Sequence, residues 1–379
     1  MPEGPSRESG ARKIACWKAA AKARGVSPAS SAWLDALRAF LLAEVVLGHL
    51  AAIALPELPV VAERRDGFAA FVLIFRLTTR FGPQAAYLFV FLSGFFVGGP
   101  LLAAALRGEA ARFPDFARRR IARIAPALWI ALAIGATFDL IGVHGLGGGE
   151  IYERQKAYDF LHAMTATNFV GNLLCLQPTF VGVFGSNGPL WTLGYIVQFY
   201  FAGLLVSRAL ARPALFPVAL LGCALVAGVV LRPEWAALFA IWWLGALVRN
   251  VSPGASAERW GLAAGFILFV AANRAPPLAS ILLCGAAGVL LLSWASARTA
   301  GPPQLLTRVA RAAAELSYEG YMTHYPAAFF IYVAFFGEIA GDMATFLRFL
   351  SATLLTVALL SVATQRAARA TSRIFASAL

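Results

Sequence analysis

The sequence predicts an all-α, polytopic integral membrane protein of about ten transmembrane helices. Three observations carry that prediction. The 379 residues are 60% hydrophobic and only 13% charged, whereas an ordinary soluble domain carries about 25% charged residues. Apolar runs of membrane length recur to the C-terminus without the alternation of a β-barrel. Arg residues gather in every second loop between those runs, the pattern of positive cytoplasmic loops.

In chain order, residues 1–31 are polar and basic. They lack the early apolar core and cleavage site of a signal peptide and are expected as a cytoplasmic tail. Part of that tail, around Ile14–Ala23, patterns as a basic amphipathic helix. The membrane domain is expected over 32–365, with spans at 32–54, 84–106, 121–142, 188–208, 214–231, 235–250, 260–273, 278–296, 317–337 and 344–364. Residues 366–379 form a second basic tail. Arg107, Arg112, Arg118, Arg119, Arg120 and Arg123 follow the second span. Arg208 and Arg212, Arg249 and Arg259, then Arg298, Arg308 and Arg311 mark later inner loops. This asymmetry predicts both termini in the cytoplasm, and the inner membrane is the expected location. Two outer loops are long. Residues 67–82 in the first are too short to span and are expected as an interfacial or re-entrant helix. Residues 143–187 have a Gly-rich start and an amide- and aromatic-rich end, and long ordered loops often carry binding function.

The net charge of +13 does not point to nucleic acid, because the Arg residues lie between spans rather than in one basic domain. The expected contacts of those residues are membrane lipids. Cys16, Cys175, Cys223 and Cys284 have neither metal spacing nor the look of a disulfide framework, and Cys223 and Cys284 read as small core residues. No metal site, appended soluble domain or transporter-like internal repeat is visible.

The first span concentrates chemistry. Its stretch SAWLDALRAFLLAEVVLGHL holds Asp35, Arg38, Glu44 and His49. A charge inside a bilayer costs several kcal/mol, so a segment that keeps four ionisable groups uses them. Arg38 and His49 are eleven residues apart, which at about 100° per residue returns to nearly one helix face. A cation near the inner end and an imidazole near the outer end is the layout of a reaction site or a permeation path.

These residues resemble a known family. LDALRAFLLAEVVLGHL is similar to the first span of the acyltransferase-3 family of membrane O-acyltransferases, marked by Leu-Asp-x-Leu-Arg and a His eleven residues after the Arg. FVFLSGFFVGGPLL (89–102), FARRRIARIAPALW (116–129), NGPLWTLGYIVQFYF (187–201) and LSYEGYMTHYP (316–326) resemble further stretches of that family, in order. The likeness covers nearly all of residues 33–365. One position departs: many relatives carry Glu where this chain has Ile196, and Glu44 and Glu319 are the acids that can take its place on chemistry alone.

The resemblance implies transfer of an acyl group, acetyl first among them, from acyl-CoA to a hydroxyl of an envelope or exported carbohydrate or glycolipid. The expected catalytic residues are His49, Arg38 and His324, from the matching stretches, with Glu319 on chemistry alone. Neutral imidazole suits a base near neutral pH, so His49 is expected to deprotonate the hydroxyl or, as a second route, to carry the acyl group. The competing reading is a buried His bonded to a backbone carbonyl. Arg38 offers bidentate donors for a phosphate or the thioester end of the donor, and also forms a structural pair with Asp35. Arg118, Arg119, Arg120 and Arg123, with Tyr318 and Tyr321, are expected at the acetyl-CoA site; ordinary inner-side topology and anionic lipid account for the same arginines. Ser317, Tyr321 and His324 share one helix face, and interhelical hydrogen bonding is their competing role. Counted from the start of its span, His324 sits nearer the inner half than His49. Asn187, Trp191 and Glu44 are expected at the acceptor. Two alternatives stand beside the enzyme: a transporter of acyl groups or small anions, and a silent relative acting as sensor or scaffold.

Overall fold

The computed structural model describes residues 26–154, 159–212, 214, 217, 232–252 and 254–378, residues 372–378 by backbone alone. The first half contains α1 (Pro28–Ala54), α2 (Leu58–Ala62), α3 (Gly67–Thr78), α4 (Gly82–Ser93) and α5 (Phe113–Leu140). Helix α4 continues through a π-helical turn at Gly94–Gly98 into Gly99–Leu106, and α5 ends in a second π-helical turn at Ile141–Gly145. Short helices α6 (Gly149–Glu153), α7 (Phe160–Ala163) and α8 (Ala166–Leu173) follow. Then come α9 (Trp191–Ala211), α10 (Pro233–Asn250), α11 (Ala255–Ala272), α12 (Pro277–Ser296), α13 (Gln304–Glu315), α14 (Ser317–Phe335) and α15 (Met343–Ala378). No strand occurs among the described residues.

Among the described residues, seven helical stretches are long and apolar enough to cross a membrane: 28–54, 67–106, 113–145, 188–211, 255–272, 277–296 and 343–371. The expected sixth and ninth spans form helices α10 and α14, which are not among those seven. In α14 the polar Ser317, Glu319, Thr323 and His324 dilute the apolar composition. The expected fifth span lies almost wholly outside the described residues, as do most of the N-terminal tail, Ile14–Ala23, Cys16 and Cys223. Three boundaries move. Helix α1 begins at Pro28, where the Ser27 hydroxyl accepts the Ser30 N–H at 3.0 Å as a cap. Helix α5 begins at Phe113, with Pro114 in its first turn, so Arg118–Arg123 ride on helix rather than loop. Helix α15 runs on to Ala378, so the basic C-terminal stretch is helical.

The chain divides into two compact units. In the first (described residues up to Leu34, Tyr87–Phe113 and Phe199–Gly301), α10 crosses the π-helical turn of α4 backbone to backbone. A side chain at Gly94 would overlap the Trp242 carbonyl, and one at Gly245 would overlap the Phe91 carbonyl. The buried Trp242 donates its indole N–H to Ser93 Oγ at 3.2 Å. The Ser-Gly-Phe stretch thus serves close helix packing, for which small residues are required in lipid.

The second unit (Asp35–Ala86, Pro114–Gln198 and Pro302–Leu379) has a core built on Leu50, Val72, Tyr152, Tyr325, Phe329 and Phe346. Helix α3 packs Ala69 and Val72 into it while Leu73, Ile74 and Leu77 stay exposed. The Asp66 carboxylate caps α3 by accepting the Ala69 N–H at 2.8 Å, and it pairs with Arg64. Arg76 reaches back to the end of α1 and donates to the carbonyls of Pro56 (2.9 Å), Ala51 (3.2 Å) and Leu55 (2.7 Å). A cation on these terminal carbonyls also suits the helix dipole, which gives this arginine a purpose that topology did not. Arg76→Ala is expected to lower stability by about 1–3 kcal/mol, read as a lower unfolding midpoint in detergent; an unchanged midpoint would remove the capping role. In the 143–187 segment, Asn168 and Asn172 hold Gly182 and Phe184, and Thr179 donates to Gln198 Oε1 at 2.7 Å. Cys175 and Cys284 are buried free thiols, and burial pushes Cys175 up to about 12, so it stays a thiol.

Candidate active site

All the candidate catalytic, donor-site and acceptor-site residues lie in the second unit. Near the C-terminal end of α1, His49 Nδ1 is 2.9 Å from His324 Nε2 on α14, and His324 Nδ1 is 2.8 Å from the Tyr321 carbonyl oxygen. The hydrogen-bond network assigns the tautomers. A carbonyl only accepts, so His324 carries its proton on Nδ1. Its neutral ring then offers Nε2 as an acceptor, and His49 must donate from Nδ1. The lone pair of His49 is therefore on Nε2, facing away from the pair. His324 is wholly buried and His49 half-buried, with the Tyr325 ring 4.5 Å from the His49 ring. The expectation that His324 lies deeper toward the inner side than His49 is corrected by this contact.

The reason appears in the N-terminal half of α1. Arg38 Nη2 donates to Ser317 Oγ at 3.4 Å, and Nη1 lies 3.6 Å from Asp35 Oδ1. Ser317, the first residue of α14, is thus level with Arg38, about ten residues into α1. Residue counts from two span edges do not share a zero. The two helices run parallel and meet at two points, one carrying a guanidinium and the other an imidazole pair. Arg38 keeps 30% of its side chain exposed.

The remaining expectations separate. Arg123 acts electrostatically on both Arg38 and Glu319. Arg118 and Arg119 are exposed, and Arg120 packs over the Phe116 ring at 5.4 Å. Glu319 is buried but stands five residues from His324, about 140° around the helix, and feels Arg369 and Arg123. The hydroxyl of Tyr318 donates to the Ile124 carbonyl at 3.3 Å, and that of Tyr321 to the Pro189 carbonyl at 2.9 Å. Both tyrosines therefore tie helices together. Glu44 also stands five residues from His49, on another face; its buried carboxylate accepts the Phe81 N–H and leaves Oε2 without a partner. Asn187 is wholly buried, donates to the Phe184 carbonyl at 3.2 Å and packs on Gly135. Trp191 is half-buried against Tyr195. Ile196 sits one turn beyond Thr192, the residue whose hydroxyl meets Tyr321 at 2.7 Å.

Sequence reasoning missed Asp139. It is wholly buried near the end of α5, where it accepts the Ser186 N–H at 2.8 Å and the Ser186 hydroxyl at 2.5 Å. An acid inside the apolar run ATFDLIG is the same signal that drew attention to the first span.

The family model described as an acyltransferase domain, Acyl_transf_3, matches residues 31–364. The chain belongs to the acyltransferase-3 family. No curated protein and no solved structure matches it. Membership supports a membrane acyltransferase in general, and the apolar helices agree with an integral membrane protein. In this acyltransferase-3 chain, Arg38 and His49 of the first span both make polar contacts with α14.

Proposed function

We propose that the protein transfers an acyl group, acetyl first, from acyl-CoA to a hydroxyl of an envelope or exported carbohydrate or glycolipid. It does so in the inner membrane with both termini in the cytoplasm. The observation that carries this reading is the tautomer chain from the Tyr321 carbonyl through His324 to His49, which leaves a basic Nε2 on a half-buried imidazole.

His49 Nε2 takes the proton of the acceptor hydroxyl as its oxygen attacks the thioester carbonyl. The new ester C–O bond forms, the C–S bond breaks, and the leaving thiolate takes the proton back from His49 Nε2–H. While His49 is protonated, His324 Nε2 accepts from its Nδ1–H and steadies the cation. Arg38 and Arg123 supply the positive charge for the donor's phosphates or thioester end, Arg38 with a planar fork that a phosphate can engage twice. Dry helix packing around the pair strengthens these electrostatics and keeps water from the thioester.

The test is purified protein in nanodiscs with radiolabelled acetyl-CoA and envelope extract. Label should appear in a base-labile ester on carbohydrate, with one CoA released per ester. Label that crosses a vesicle membrane without covalent product would instead support the transporter. In the same assay Arg38→Gln should raise the KM for acetyl-CoA about 10- to 100-fold, the value of a charge-assisted bond of 1.5–3 kcal/mol. An unchanged KM would confine Arg38 to its contacts with Asp35 and Ser317.

A further inference from the structure

Asp139 has no place in the proton transfer, yet it is wholly buried and held by two hydrogen bonds. A buried carboxylate is costly unless hydrogen-bonded, and two donors from one residue, the Ser186 N–H and hydroxyl, meet it. Gly185 makes that approach possible. Its φ of +50 lies in the left-handed region, and a side chain there would overlap Asp139 Oδ2. The Tyr152 hydroxyl lies beside the same carboxylate. Burial first, and then the Asp139 charge, hold that phenol above its ordinary range, so it stays an O–H donor.

Beyond Ser186 the chain forms a continuous hydrogen-bonded turn. Asn187 N–H donates to the Phe184 carbonyl at 3.1 Å, and Leu190 N–H donates to the Asn187 carbonyl at 2.9 Å. This turn presents the Pro189 carbonyl, which accepts the Tyr321 hydroxyl at 2.9 Å and the Thr192 hydroxyl at 3.1 Å. Tyr321 then lends its own carbonyl to His324 Nδ1–H at 2.8 Å. The path from Asp139 to His49 is thus Ser186, the 186–190 turn, Tyr321 and His324, all within one unit.

Resting on the reading of His49 as the base, we infer that Asp139 and Tyr321 are positioning residues for the His49–His324 pair. Neither touches the reacting atoms. Asp139 clamps the turn, the turn holds Tyr321, and Tyr321 holds the proton of His324 on Nδ1. Once His324 is free to carry its proton on Nε2, His49 must accept at Nδ1, and its own proton moves to Nε2, where it blocks the base. The consequence falls on turnover rather than on donor binding.

The chain has four histidines, His49, His144, His162 and His324, so the imidazoles of nitrogen-15-histidine-labelled full-length protein in nanodiscs are few enough to resolve by NMR. The wild type should show two slowly exchanging Nδ1–H signals, each lost in the corresponding His→Gln variant. Ser186→Ala and Tyr321→Phe should make both exchange faster. They should also lower kcat for acetyl transfer from acetyl-CoA by about 10- to 100-fold, the scale of a small misplacement of a reacting group, with KM for acetyl-CoA nearly unchanged. Ser186→Thr, which keeps the hydroxyl, should restore both readouts. Asp139→Asn gives a second check on the clamp. Unchanged imidazole signals in Ser186→Ala and Tyr321→Phe overturn the inference, as does a change confined to KM. Wild-type signals that respond as described in a protein that transfers no acetyl group count against the proposed function and leave the positioning path standing.

Discussion

Replacing His49 by Ala is expected to lower acyl transfer by about 10²–10⁴-fold, the usual contribution of a positioned general base, equivalent to about 3–5 kcal/mol of barrier. The amount of protein in the membrane should not fall. The side chain is half-buried and its ring contacts are the His324 and Tyr325 rings, so its loss opens a small space at the end of α1 without breaking a helix. His49→Gln retains much of the volume and a hydrogen-bond donor toward His324 but no base, and should be as inactive as Ala. Full transfer by either variant would sink the assignment. The same protein separates base from acyl carrier: if His49 carried the group, wild type denatured at neutral pH after labelled acetyl-CoA alone would hold label on protein that acid and hydroxylamine release, and the proton-transfer route predicts none. His324→Gln should be milder, because His49 Nε2 is retained and only its orienting partner is changed.

The fold class was legible because bilayer physics writes itself into composition: a length of apolar chain and an inner-side excess of Arg are one-dimensional quantities. The spacing of Arg38 and His49 was legible for the same reason, since one helix fixes both. What failed was comparison between helices. Nothing in the sequence says that Ser317 begins level with Arg38, so the depth of His324 relative to His49 came out wrong until their contact at 2.9 Å fixed it. Glu44 shows a second limit. It shares a span with His49, but five residues turn it toward the Phe81 backbone, and a carboxylate about one and a half turns away on paper is on another face in space. Tyr318 and Tyr321 illustrate a third: a hydroxyl that suits a ligand suits a backbone carbonyl equally, and only the partner decides. Asp139 was legible and passed over, since one acid in an apolar run carries the same cost whichever span holds it. The Ser-Gly-Phe stretch was readable as a motif but not as a crossing, because its partner Trp242 lies 148 residues beyond Gly94.

That crossing is where a single methyl group should do the most damage to folding. Gly94→Ala places a Cβ where the Trp242 carbonyl oxygen already sits, and backbone, unlike a side-chain tip, has no alternative rotamer to adopt. Relief requires α4 and α10 to separate. Separation in turn pulls the Trp242 indole from Ser93 Oγ and opens the matching approach of Gly245 to the Phe91 carbonyl. Overpacking of a well-filled core commonly costs about 1–3 kcal/mol and occasionally more; two coupled backbone contacts put this site at the upper end. The expected result is a sharp drop in monodisperse protein in detergent and a lower unfolding midpoint. Gly67→Ala, at the start of α3, is the control. Nothing lies within 4 Å of its added Cβ, so its effect should be much smaller. Equal behaviour of the two variants would mean that α4 and α10 do not cross backbone to backbone. A selective loss at Gly94 would tie the family's Ser-Gly-Phe stretch to helix packing in lipid, where close approach of backbones replaces the hydrophobic drive available in water.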